Sequence, residues 1–290
     1  MPAPYERPSP DGLIAVGAFA ATLPLTRIAL EGFAPVALTF GRLLGATLAA
    51  SIILIALEAP FPKRHQFAGL LLVAAGGVFG FPLLTAIAME GKEAAPAAIP
   101  LALMPLATAL WSRLRAQERP SLGFWFWSLI GSTVVLHFVW NEGSTEVAPE
   151  LFGAAAAASI AYAEGGRLAR EMPGWQVMAW ALMVAAPVTA LGFGYTWAWL
   201  SLPTAAPPWL ALAFLSLVTQ FGAFWFWYRA LATGVARTSQ LQLLQPFLTL
   251  LLAAALLGET LAPGLWLHAG AVMASIYLAR GGRLKPFAGG

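Results

Sequence analysis

The sequence predicts an all-α integral membrane protein: ten transmembrane helices arranged as two inverted five-helix repeats, with the N-terminus and the C-terminus cytoplasmic. Three observations carry this prediction. The chain is apolar almost throughout, its basic residues collect on alternate connections, and its two halves match at a constant displacement. Of the 290 residues, 59% are hydrophobic and only 10% are charged. That leaves too few polar side chains to cover a soluble surface, so the composition demands lipid as solvent.

The spans come first. A helix rises about 1.5 Å per residue, so a hydrocarbon core of roughly 30 Å takes about 20 residues. Ten apolar stretches approach or exceed that length, at 12–29, 34–57, 66–88, 94–112, 121–140, 151–169, 175–200, 207–229, 236–257 and 264–280. A β-barrel would need short segments alternating apolar and polar. Runs such as Leu70-Leu71-Leu72-Val73-Ala74-Ala75 do not alternate, which excludes it. The first stretch is long and lacks a clear small-residue cleavage site, so it reads as a span and not as a leader. Cysteine is absent, which removes disulfides, thiolate metal sites and thiol nucleophiles.

Charge then gives direction. With the N-terminus inside, thirteen of the sixteen Lys and Arg fall on the cytoplasmic side: Arg7, Lys63, Arg64, Arg113, Arg115, Arg119, Arg167, Arg170, Arg229, Arg237, Arg280, Arg283 and Lys285. Arg27 and Lys92 fall outside, and Arg42 lies within span 2. This is a strong positive-inside bias. It accounts for the net charge of +3 and leaves no basic stripe for nucleic acid. The linker 141–150 carries three acids and no base, as expected of an outer loop joining two halves. Trp125, Trp127, Trp140, Trp175, Trp199 and Trp209 lie near span ends, where interfacial anchors belong.

The repeat follows from register. Pro105 and Pro246, Thr108 and Thr249, Glu118 and Glu259, and Gly12 and Gly153 are each 141 residues apart and occupy matching spans. The expected division is 1–148 and 149–290. Five helices per half invert the second half relative to the first. The stretch before Glu118 reads Ser112-Arg113-Leu114-Arg115, whereas that before Glu259 reads Ala253-Ala254-Ala255-Leu256. The same position is basic on one side and apolar on the other. Inverted repeats with a midplane site between them, alternating access by rocking, are a recurrent transporter design.

At Thr26 to Pro35 leading to Arg42, at Met104-Pro105 followed by Glu118-Arg119, at Tyr228-Arg229-Ala230-Leu231, at Leu244-Gln245-Pro246-Phe247-Leu248-Thr249 and at Leu257-Gly258-Glu259, the chain resembles the EamA-type ten-span exporters of the drug/metabolite transporter superfamily. The resemblance covers nearly the whole chain. It departs in span 1, where many relatives carry Trp-Gly and this chain reads Ala20-Ala21-Thr22-Leu23-Pro24. The resemblance implies an exporter of small metabolites in a bacterial inner membrane. Amino acids, aromatic or otherwise apolar, are the first substrate class and other drugs or metabolites the alternative. The implied partners are a small-molecule substrate and the bilayer; no cofactor is implied, and the oligomeric state stays open, a monomer being compatible.

Candidate cavity residues come from polar and aromatic positions inside spans. Thr238, Gln242, Gln245 and Thr249 recur at helical spacing and form one stripe on span 9. They read either as glue between helices or as a cavity wall, because an unpaired amide in lipid is costly. Gln220 is an isolated amide midway along span 8, followed by Trp225, Trp227 and Tyr228, which cannot all face one cavity, so at least one of them reads as an interfacial anchor. Tyr162 in span 6 can present a phenol to the centre, and Glu164 sits nearer the cytoplasmic face. Gly76 and Gly80 form a GxxxG pair that reads mainly as close packing, with Phe79 and a kink at Pro82 as the site reading. Pro105, beside Met104, and Pro246 each remove one helix hydrogen bond and so bend the helix or free a carbonyl. Arg42 is the one base deep in a span, able to meet a carbonyl end or a substrate carboxylate.

Absences narrow the mechanism. No phosphate-binding loop is present, so no ATP-driven engine is built into the chain. The only Asp is Asp11, and a buried carboxylate for proton coupling is missing, which tilts the reading to facilitated diffusion or an unrecognised coupling. His65, His137 and His268 fall on different membrane sides, His137 and His268 near outer helix ends, which disfavours a shared metal or Ser-His dyad and so a membrane enzyme. A non-transporting scaffold predicts a bundle without a central void.

Overall fold

Inside hydrocarbon every backbone N–H and C=O needs a partner within the protein, and a helix supplies them within one segment. The computed structural model describes residues 10–90, 98–141, 148–198, 200, 202–261 and 263–280. Ten helical rods run through these residues: α1 (Pro10–Leu30), α2 (Pro35–Ala56), α3 (Arg64–Ala88), α4 (Ala98–Arg115), α5 (Leu122–Asn141), α6 (Pro149–Leu168), α7 (Gly174–Trp197), α8 (Ala206–Ala232), α9 (Val235–Leu257) and α10 (Leu265–Arg280). Their ends fall within four residues of the spans read from hydropathy. Among the described residues there is no strand. Arg7, Lys92, Arg283, Lys285, Trp199 and linker residues 142–147 lie outside the described residues.

Seven rods are long and apolar enough to cross a bilayer on their own account, and α4, α6 and α10 are not among them. For α4 and α6 the reason is charge near one end, although the two pack closely on each other. α4 carries Arg113 and Arg115 in its last turn, and α6 carries Glu164 and Arg167 near its end. The outer helices take the lipid-facing load. Ile52 and Ile55 on α2, Leu191 and Tyr195 on α7, Leu122 and Trp140 on α5, and Trp266 and Leu267 on α10 are exposed.

The helices associate by a two-fold rule. Helices of equal rank pair across the halves, α2 with α7, α5 with α10 and α4 with α9. The first helix of each half, α1 or α6, inserts between the third and fourth helices of the other half. Small residues allow this approach. A Cβ at Gly76 would strike the Ala157 carbonyl oxygen on α6, and one at Gly80 would strike the Ala157 methyl group. Close packing is therefore what the GxxxG pair provides.

Irregular backbone repeats at the same register. α3 contains a π-helical segment at Ala74–Gly80 and α8 another at Leu215–Gly222, starting 141 residues later. Gln117 and Gly258 both adopt left-handed φ, 54° and 71°, and are again 141 residues apart. Each directly precedes a glutamate, Glu118 or Glu259. These two glutamates mark opposite ends of the bundle, the Glu118 end and the Glu259 end.

Candidate functional site

A small cavity lies where α1, α2, α3, α4, α6, α8 and α9 converge. Its lining residues are Phe19, Thr22, Arg42, Gly77, Phe81, Met104, Tyr162, Thr219, Gln220, Phe224 and Gln245. The free space is about 10 Å³, room for roughly one water molecule. Of the lining residues only Phe81 is more than marginally exposed.

The local backbone explains why polar groups gather here. In the π segment of α3, the Phe81 N–H donates to the Gly76 carbonyl, five residues back. The Gly77 carbonyl would look to residue 82 in the same pattern, but that residue is Pro82 and has no N–H. Gln220 fills the vacancy: its Nε2 donates to the Gly77 carbonyl at 3.2 Å. The Gln220 Oε1 keeps no partner. π segments of this kind are frequent at functional sites. Here the two π segments face each other through this one bond.

Arg42 reaches the cavity from α2, seven residues along from Pro35. It is only 5% exposed. Its Nη2 donates to the Thr219 hydroxyl at 3.1 Å, and its Nε has no partner. Thr219 in turn donates to the Leu215 carbonyl, so it is oriented by its own helix. One wall is aromatic. Phe19 stacks on Tyr162 with ring centroids 6.4 Å apart, and Phe224 lies 5.0 Å from Phe19.

α9 is broken where the stripe of polar residues runs. Gln240–Leu244 is 3₁₀ and Gln245–Leu257 is α-helical. Pro246 cannot donate to the Gln242 carbonyl, and the Gln245 N–H does so instead, three residues on. The carbonyl freed by proline is thus absorbed by a tighter turn. Gln245 lines the cavity, Gln242 is buried beside the Tyr162 hydroxyl, and both amide atoms of Gln240 are buried without a partner.

The expected site residues divide accordingly. Arg42, Met104, Tyr162, Gln220 and Gln245 line the cavity together. Gln242 is buried beside it on the same broken segment. Thr238 and Thr249 do not reach it: Thr238 donates to the Ala230 carbonyl at 3.1 Å and Thr249 to the Ala20 carbonyl at 3.0 Å. Both serve as glue, because a hydroxyl in lipid settles on the nearest free carbonyl. Phe79 packs edge-on against Phe40 instead. Trp227 backs the wall, 5.4 Å from Tyr162 and edge-on to Phe19. Tyr228 fills the gap over Gly165, where any Cβ would collide with its ring. Neither is an interfacial anchor, since both are fully buried. Around Pro105, Ser132 donates to the Ala102 carbonyl at 2.8 Å and Ser159 to the Met104 carbonyl at 3.3 Å. These serines tie α5 and α6 to α4 on either side of Pro105.

Sequence reasoning missed Phe19, Thr22, Gly77, Phe81, Thr219 and Phe224. Thr219 had a signal, standing beside Gln220 in an apolar run. Thr22 follows the break in α1 at Ala21. The phenylalanines had none, because an apolar side chain in an apolar helix does not announce which way it faces.

Polar contacts also close the two ends. At the Glu118 end, Glu118 pairs with Arg170 and accepts the N–H groups of Val235 and Ala236, each at 2.8 Å. Glu164 is held by Arg115 at 3.0 Å and Arg167 at 2.8 Å, and Glu171 by Arg167 at 2.8 Å and His65 at 2.9 Å. Asp11 pairs with Arg229. Burial pushes the Glu171 carboxyl up, but hydrogen bonds from His65 and Gln66 and the charges of Arg167 and His65 outweigh it and hold it below the ordinary carboxylate value. At the Glu259 end, Glu259 pairs with Arg27, and His137 meets His268 at 3.1 Å. Among the described residues no group of three or more acids and histidines could hold a metal ion.

Known proteins share this architecture. The model of the EamA-like transporter family matches residues 12–140 and again residues 150–281. A protein of Bacillus subtilis (strain 168) described as the uncharacterized transporter YdeK is 39% identical over 257 residues, covering 86% of this chain and 88% of its own length. A solved crystal structure superposes with a TM-score of 0.73 over 94% of this chain and 99% of that one, at 20% identity, and so shares the fold.

Proposed function

The chain belongs to the EamA-like transporter family, a multi-pass inner-membrane transporter and not an enzyme, and from that premise we propose that it exports small amino-acid-like solutes by alternating access around the central cavity. The observation that carries this reading is the pair of buried, unpartnered polar atoms at the junction of the two halves: Arg42 Nε and Gln220 Oε1. Buried polar groups in hydrocarbon normally find partners, and each orphan costs on the order of 1–3 kcal/mol. A solute with donors and acceptors supplies the missing partners when the cavity widens. The aromatic wall of Phe19, Tyr162 and Phe224 suits an apolar body.

The two halves are the moving parts in this reading, and their division falls near residue 148. The Glu118 end is the cytoplasmic one, because Lys63, Arg64, Arg113, Arg115, Arg119, Arg167, Arg170, Arg229 and Arg237 gather there while Arg27 stands at the other. Export then requires the Glu118 end and the Glu259 end to open in turn.

Transport of a panel of labelled amino acids by the purified protein in liposomes tests the reading. Gln220→Leu and Gln245→Leu are expected to lower the flux of the transported solute at least tenfold while both variants stay monodisperse. Wild-type flux in both would remove these residues from the site. A wild-type protein that moves no member of the panel would count against amino-acid export.

A further inference from the structure

Arg42 is a buried cation with no anion. Among the described residues no carboxylate pairs with it, its Nε has no partner, and its one hydrogen bond goes to the neutral Thr219 hydroxyl. No Asp or Glu lines the cavity. The buried carboxylate on the neighbouring α6, Glu164, is already held between Arg115 and Arg167 at the Glu118 end. The other polar groups of the cavity, on Thr22, Tyr162, Thr219, Gln220 and Gln245, are neutral. An empty cavity therefore carries a net positive charge in a medium that tolerates one poorly. A guanidinium matches a carboxylate in shape, offering parallel N–H donors to two oxygens. Thr219 and Gln220 stand next to it, so a carboxylate on Arg42 also comes within reach of a hydroxyl and an amide.

We propose that the cavity takes its substrate as a carboxylate monoanion bound through Arg42, and that the protein moves this anion outward down the membrane potential without a coupled proton. The inference rests on reading the cavity as the transport site. A monoanion leaves the loaded site electrically neutral, whereas a zwitterion leaves the charge of Arg42 uncompensated. An inside-negative potential repels an anion, so export of this class needs no proton carrier within the bundle. The described cavity offers no carboxylate to act as one. The apolar wall of Phe19, Phe81 and Phe224 receives the body of the substrate opposite its charged end.

The test uses the full chain in liposomes loaded with labelled L-glutamate or phenylpyruvate, both monoanions, with L-phenylalanine as the zwitterion. A potassium gradient with valinomycin sets the potential. The expected result is efflux of at least one monoanion, accelerated by an inside-negative potential and indifferent to a pH gradient. At about 100 mV the final distribution of a monovalent anion shifts ~50-fold. Efflux of L-glutamate alone assigns an acidic amino acid, and of phenylpyruvate alone a monocarboxylic acid. Arg42→Gln should lower anion flux at least tenfold, and Arg42→Lys should retain part of it. Should Arg42→Gln fail to fold, the potential dependence of the wild type and the partial rescue in Arg42→Lys still decide. Anion flux at the wild-type rate in Arg42→Gln, or proton-driven flux, overturns the proposal. Movement of L-phenylalanine alone, independent of potential, also overturns it but leaves the transport reading standing. No movement of any probe by the wild type overturns both.

Discussion

The two ends of the bundle carry the same device with different reinforcement. At each, a residue in left-handed conformation turns the chain after the fourth helix of a half and presents a glutamate to an arginine near the end of the other half's first helix. At the Glu118 end the acid of the pair is the better shielded: the Glu118 side chain is 9% exposed, against 39% for Arg170, and it also caps the N-terminus of α9 through two N–H groups. Glu164, fully buried, adds two more arginines beside it. At the Glu259 end the pair stands 38% and 27% exposed, with a histidine contact nearby. A charge pair in contact with water contributes little, whereas removing one partner of a buried pair leaves an unsatisfied charge. The difference teaches that the two closures of one repeat need not be equal, and that the thinner one is the Glu259 end.

Glu164→Gln is the largest challenge to this contrast. It strips the buried carboxylate from between Arg115 and Arg167 and is expected to cost about 3 kcal/mol, read as a lower melting temperature in detergent. A variant that melts with the wild type would show that the network contributes nothing. Glu118→Ala should cost roughly 2 kcal/mol, since it leaves the Val235 and Ala236 N–H groups and Arg170 without their acceptor. Glu259→Gln should cost less than ~1 kcal/mol by the same measurement. A loss equal to that of Glu118→Ala would erase the distinction between the ends.

Two smaller effects sharpen it. The chain has no cysteine, so a single Thr22→Cys can report access to the cavity. Adding Glu259→Gln should raise its labelling by a water-soluble maleimide about twofold, the gain expected from weakening an exposed latch. No change would show that Arg27–Glu259 does not hold that end closed. Acid acts on the other end. The Glu171 carboxyl is held below its ordinary value of 4.5 in the folded protein. Its stabilising contribution is therefore complete above the unfolded-state value and is lost as pH falls through the lower folded-state value. The melting difference between wild type and Glu171→Gln should shrink as pH drops below about 4.5. A difference that stays constant in acid would exclude the linkage.

The fold was legible because its signals are additive along the chain. Hydropathy over about 20 residues averages out local exceptions, and the placement of bases such as Arg113 and Arg115 against Ala254 and Leu256 follows from the odd number of helices. α4 and α6 show where that averaging weakens. Both carry charge near one end, and composition alone does not give a helix its position in the bundle. The site was half legible. Polar residues in an apolar span draw notice whatever they do, so Gln220 and Gln245 were marked along with Thr238 and Thr249. The first two line the cavity, whereas the last two donate to carbonyls one helix away.

The sequence by itself determined the ten spans, their repeat at 141 residues and the crowding of positive charge at alternate ends. These are properties of chain length, solvent and register, and they do not depend on which helix touches which. Only the tertiary structure decided the rest. It placed the Gln220 amide on the Gly77 carbonyl that Pro82 leaves free, set Arg42 beside Thr219 with no carboxylate paired to it among the described residues, and enclosed both with phenylalanines. Those choices depend on the facing of seven helices at once, and close packing between small residues such as Gly76 and Ala157 sets that facing.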